Sequence, residues 1–223
     1  GETNEPSPSP LLIIYSLTQV QQFLSSNQLS QAYEYFTNQI ESISKEDQNK
    51  LAEMLVNRSF IFLALQMTKN ALNDANKAIS IDQYSSPSYF VIGIAHLWNG
   101  NEENAISIWR TGLEYTKELS FYTLMTALVN SLNFRAHLFK MKFNVSHLLD
   151  LIDDFANPRF PTDSDIQDAF SELRSASYES AIDHFTMIIK TNPQCHYAYK
   201  GRGVAYCMSG QYDKCIKDLT TSL

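Results

Sequence analysis

The chain has 223 residues, a net charge of −7 at pH 7, 44% hydrophobic and 18% charged residues, and three cysteines. Its 17 basic residues are scattered rather than gathered into a stripe, which argues against a phosphate-tracking surface. No apolar run approaches the ~20 residues of a membrane span, and seven glycines with seven prolines are too few for a turn-rich β protein.

Residues 1–10, with their "EPSPSP" run, read as a disordered tail. Gly1 stands where an initiator Met is expected, so the natural protein is expected to extend further. Residues 11–115 then read as three helix pairs. Ala71 and Ala105 lie 34 residues apart, and at the same spacing Ser59 pairs with Gly93, Phe62 with His96, and Ala78 with Gly112. The first unit, Ser16 to Ile40, is the weakest, held by Val20, Phe23, Ala32 and Phe36, and "SISKEDQNK" after it reads as a loop with a five-residue insertion.

Residues 116–161 fit no repeat and read as a helical linker and cap. "SFYTLMTALVNSLNFRAHLFKMKF" is apolar round most of a helical circumference, which predicts one elongated helix buried on several faces. "NVSHLLDLIDDFANP" follows as a short amphipathic helix with Leu148, Leu149, Leu151, Ile152 and Phe155, stopping at Asn157-Pro158. Asp150, Asp153 and Asp154 fall on its solvated face.

In residues 162–223 the period of 34 returns: Ala169 matches Gly203, Ala181 matches Cys215, and Phe185 matches Leu219. Small residues thus recur at two offsets 12 apart, each followed by a bulkier one, which predicts a helix–turn–helix solenoid. The small residues are expected at helix crossings, Gly93 against Ala105, Gly203 against Cys215 and Ser59 against Ala71, with Phe62, Trp109, Phe185 and Tyr206 filling the gaps. Because a last unit without a polar cap would expose an apolar face, the chain is expected to continue beyond Leu223.

The order of small, aromatic and turn residues in "VNRSFIFLALQMTKNALNDANKAISID", "YFVIGIAHLWNGNEENAISIWRTGLEY" and "YKGRGVAYCMSGQYDKCIKDLTTSL" resembles the tetratricopeptide repeat family. "SYESAIDHFTMIIKTNP" adds a second helix with Pro193 at the family's closing proline. The resemblance implies an all-α solenoid in two groups joined by the linker, with first helices lining a concave groove that holds a segment of another protein. It places in that groove Leu17, Gln21 and Leu24; Val56, Asn57, Phe60 and Leu63; and Phe90, Val91, Ile94, Leu97 and Trp98.

The expected function is therefore a non-catalytic scaffold or adaptor for a hydrophobic or amphipathic partner segment. One alternative is a chaperone co-factor of the carboxylate-clamp type: Asn57 in "NRS" sits on the clamp asparagine. However, Leu17, Gln21, Pro87 and Val91 stand where the clamp's other polar and basic residues would be. A second alternative is a regulatory region of a larger enzyme. The groove also has an internal candidate occupant, either Phe121 to Phe143 or "LLIIY" at 11–15, because so apolar a surface is a solubility liability when open. A homodimer through the same surfaces is compatible with the sequence.

No catalytic motif, metal site or cofactor motif is read. "GRGVAYCMSG" has its glycines inside a helix and at its end, whereas a phosphate loop places them between a strand and a helix. Asp163, Asp165 and Asp168 read as a helix start rather than a calcium loop, and His184 with Cys195-His196 lacks further ligands. Three cysteines without a disulfide framework point to the cytoplasm or the nucleus.

Overall fold

The computed structural model describes residues 13, 15–116, 118–156 and 163–221, with the side chains of 119 and 153–156 outside that description. The tail at 1–10, Phe155, Asp153, Asp154 and the Asn157-Pro158 stop therefore lie outside it. Among the described residues every regular element is helical: thirteen α-helices and no strand. Five pairs are α1 (Thr18–Ser25) with α2 (Leu29–Ser42), α3 (Gln48–Ala64) with α4 (Thr68–Ile81), α5 (Ser86–Trp98) with α6 (Glu102–Tyr115), α10 (Ser164–Arg174) with α11 (Tyr178–Thr191), and α12 (His196–Met208) with α13 (Tyr212–Thr221). Between the third and fourth pairs run α7 (Leu119–Asn130), α8 (Leu132–Lys140) and α9 (Val145–Ala156).

All five pairs turn by the same device. One residue between the helices takes a left-handed backbone: Asn27, Gln66, Gly100, Ala176 and Gly210, with φ from 54° to 80°. The N–H after it reaches back five residues, as in Gln28 to Phe23 O (2.9 Å), Met67 to Phe62 O (2.8 Å) and Gln211 to Tyr206 O (2.7 Å). These bonds satisfy carbonyls that a helix end leaves bare. Glycine needs no strain there, whereas Gln66 and Ala176 carry a Cβ that crowds the following carbonyl oxygen.

Close approach sets the contact inside each pair. A Cβ built on Gly93 would lie 2.0 Å from Trp109 Nε1, and one on Gly203 would lie 3.1 Å from Leu219 Cδ2. The nearest side chains at these sites, Trp109 and Leu219, lie one helical turn beyond the expected partners Ala105 and Cys215. Gly93 leaves a slot for a whole indole, which a neighbouring alanine would not fill; Trp109 Nε1 crosses that slot to donate to Phe90 O at 3.3 Å.

Two buried ion pairs repeat as well. Arg58 grips Asp74 through both Nε and Nη2 (2.6 and 2.8 Å) while Nη1 donates to Thr37. Arg202 grips Asp218 in the same way (2.7 and 2.9 Å), with Nη1 on Thr186. Each ties the two helices of one pair to the second helix of the pair before it.

The middle of "SISKEDQNK", residues 43–47, forms the expected loop: α2 runs to Ser42 and α3 starts at Gln48, with Asp47 accepting from Lys50 N as its cap. One sequence expectation is corrected. The single elongated helix expected over 120–143 is broken at Ser131 (φ −125°, ψ 112°), whose hydroxyl accepts from Phe134 N and starts α8. Serine competes for the backbone in this way at helix starts.

Gly93→Ala is expected to cost about 3 kcal/mol or more, because rigid Trp109 must move, and Gly203→Ala less than about 1 kcal/mol, because Leu219 can shift. Ala176→Gly is expected to stabilise by about 1 kcal/mol by relieving the left-handed backbone. Urea unfolding of the three variants checks all three values.

Candidate functional site

The first helices α1, α3 and α5 carry the twelve groove residues, with Leu17 as the N-cap of α1. Val56, Asn57, Phe60, Leu63, Phe90, Val91, Ile94, Leu97 and Trp98 are all buried, and Leu17, Gln21 and Leu24 are half-buried. What covers this face is the linker. Helix α9 packs on α1, α3 and α7, while α7 and α8 pack on α5. The chain's own linker therefore covers the face formed by α1, α3 and α5.

The contacts are specific. Phe90 meets Phe121 of α7 edge-on, with ring centroids 5.5 Å apart. Trp98 donates its indole N–H to Leu138 O at 3.0 Å and meets Phe143 edge-on at 5.4 Å. Gln21 Nε2 donates to Asp150 Oδ1 at 2.7 Å, a bond that joins α1 to α9 across 129 residues of sequence. Arg135 on α8 pairs with Glu102 on α6 and donates to Leu128 O at 2.7 Å, holding α8 against the end of α7. Phe143 closes the segment expected as an internal occupant, whereas Asp150 is a groove partner that sequence reasoning missed. The amphipathic stripe of α9 was legible, but Asp150 read as merely solvated.

Two groove oxygens have no hydrogen-bond partner although both are buried: Gln21 Oε1 and Asn57 Oδ1. Arg58, the cation next to Asn57, is committed to Asp74, which favours its charged form chiefly through the hydrogen bond they share.

On its other side α9 faces the last helix. A small cleft lies between His137 of α8, His147 and Asp150 of α9, and Ile216, Leu219 and Thr220 of α13. Burial, then His147 and Lys140, hold His137 below its ordinary pKa.

The N-terminal segment reaches the starts of α5 and α7. Tyr15 donates to Asp82 at 2.7 Å, and burial reinforced by the Asp82 carboxylate drives its pKa well up. Glu118, the N-cap of α7, lies in the same cluster; burial and then Asp82 raise it above its ordinary 4.5.

The remaining candidates take structural places. Asp163 caps α10 through its side chain, accepting from Asp165 N at 2.9 Å. His184 Nδ1 lies 3.4 Å from Glu172. All three cysteines are free and buried. Its hydrogen bond with Cys207, with burial, raises the Cys215 thiol well above its ordinary value, which makes it a poor nucleophile. Among the described residues no group of three or more His, Cys, Asp or Glu side chains is arranged to hold a metal, and no helix is long and apolar enough to cross a membrane. Neither a protein-family model nor a curated protein matches the chain.

Because the folded chain favours neutral Glu118, folding takes up a proton there. The associated stability is present at acid pH and is lost as pH rises through the folded pKa. Glu118→Gln is therefore expected to raise Tm at neutral pH by a few degrees and to leave it unchanged near about pH 3.5. Thermal melts across that range check this.

Proposed function

We propose that the chain is a non-catalytic protein–protein interaction scaffold of the tetratricopeptide-repeat type, taking a hydrophobic or amphipathic segment of a partner on its concave face. One observation carries this reading: an amphipathic helix, α9, is seated on that face against α1 and α3. A surface that accommodates one such helix from its own chain has the shape and apolar lining for another. The carboxylate-clamp alternative lacks support, since Arg58 is engaged with Asp74 and the described groove positions offer no cation of their own.

The test is to open the groove and then spoil it. Leu148→Glu places a charge where α9 buries a leucine, and Leu24→Arg puts a cation on the groove wall. In affinity capture the opened chain is expected to retain a protein that the wild type holds weakly, and adding Leu24→Arg is expected to release it. Capture that is indifferent to Leu24→Arg would place binding elsewhere and sink the reading. Circular dichroism of both variants guards against simple unfolding.

A further inference from the structure

The groove contains a polar demand that its own occupant leaves unmet. Gln21 donates one end of its carboxamide to Asp150 at 2.7 Å, while the other end, Oε1, is buried without a partner. An ionised carboxylate only accepts hydrogen bonds, so Asp150 serves the Nε2 end and has nothing to offer the oxygen. A buried acceptor left this way forfeits its hydration with no return. Asn57 Oδ1, on a side chain only 2% exposed, is a second unpaired acceptor on a groove residue.

The apolar part of the seat, by contrast, is well met. Val145, Leu148, Leu149 and Ile152 of α9 are 1%, 1%, 4% and 6% exposed, the i, i+3, i+4, i+7 stripe of a helix lying in a groove. The opposite flank of α9 borders a small cleft toward Ile216 and Thr220 of α13.

We propose that α9 is an exchangeable, built-in ligand of the groove. The external partner that displaces it is an amphipathic helix with aliphatic residues at those four positions and an Asn or Gln carboxamide in the place of Asp150. This rests on the groove-binding reading above. A carboxamide there accepts from Gln21 Nε2 and donates to Gln21 Oε1, closing both ends of the side chain. The tether gives α9 an effective concentration of order mM, so a free helix needs a bond that α9 does not make. The carboxamide supplies that bond.

Three measurements test this on the full chain. Hydrogen exchange of the wild type is expected to show the α9 amides opening at least about tenfold faster than those of α5, as a sub-global unit. Exchange of α9 only together with α5 would overturn the proposal.

Labelled peptides of residues 141–156, natural and with Asp150→Asn, are then titrated by fluorescence anisotropy against the wild type and an Asp150→Ala chain, which removes the bond from Gln21 to α9. Both peptides are expected to bind the Asp150→Ala chain more tightly than the wild type. The Asn peptide is expected to bind at least about fivefold more tightly than the natural one, the scale of one added hydrogen bond. On a Gln21→Leu chain that advantage is expected to vanish.

Equal affinity of the two peptides overturns the carboxamide assignment while the groove reading stands. If α9 opens yet neither peptide binds, the groove reading falls with it.

Discussion

The route of the linker depends on the indole of Trp98. This side chain ends α5 fully buried, and its N–H has one acceptor, Leu138 O near the end of α8. A buried donor left unpaired costs about 1–3 kcal/mol, and the last carbonyls of a helix likewise need a donor, so one bond answers two demands. Next to it the chain bends at Phe143, a non-glycine residue at φ 66°. That backbone costs roughly 1–2 kcal/mol, which the ring contact with Trp98 helps to offset, such contacts contributing about 0.5–1.5 kcal/mol beyond the area they bury. The bend turns the chain back over the first helices instead of onward, so α9 lands on α1 and α3.

The same linker fixes where the second repeat group sits. Helix α12 packs on α7 and α13 on α8, with Thr123 Oγ1 3.2 Å from Met208 Sδ and Asn133 donating to Asp213 at 2.8 Å. Cys207, Cys215 and Leu219 belong to the main core, while Ile166, Phe170 and Phe185 form a separate cluster. The last helix pair is therefore the one that joins the linker, and the pair before it in sequence shares a smaller core with Cys195, Ala198 and Ala205 at the start and along α12. A superhelix extended in chain order would contact the linker through α10 and α11 instead.

What the sequence made legible was the periodic part. A spacing of 34 located the helix pairs because packing two helices closely needs small residues at fixed places, and glycine at 93 and 203 has no other helical use. That Trp109 and Leu219 come nearest to these glycines, one turn beyond Ala105 and Cys215, was not legible, since spacing along a helix says nothing of how far the facing helix is slid. The ion pairs Arg58–Asp74 and Arg202–Asp218 were missed although both span 16 residues. Among scattered charges, only three-dimensional proximity separates a bidentate pair from a solvated one. The break at Ser131 was hidden by apolar residues on both sides, because composition records burial and not the hydrogen bond that interrupts a helix.

The groove residues themselves carry an instructive ambiguity. Phe60, Phe90, Ile94 and Trp98 were singled out as apolar and concave, and all four are fully buried, with Phe90 against Phe121 of α7 and Trp98 against Leu138 of α8 and Phe143. An apolar face must be covered for the fold to be stable, so its composition does not discriminate between a core and a docking site. Folding gains nothing from burying a polar atom without a partner, and among the described residues Gln21 and Asn57 share that state with Ser86, Thr126 and Glu172 outside the twelve groove positions. Within the groove, the unmet demand sits on the two polar side chains, Gln21 and Asn57, rather than on the ten apolar ones around them.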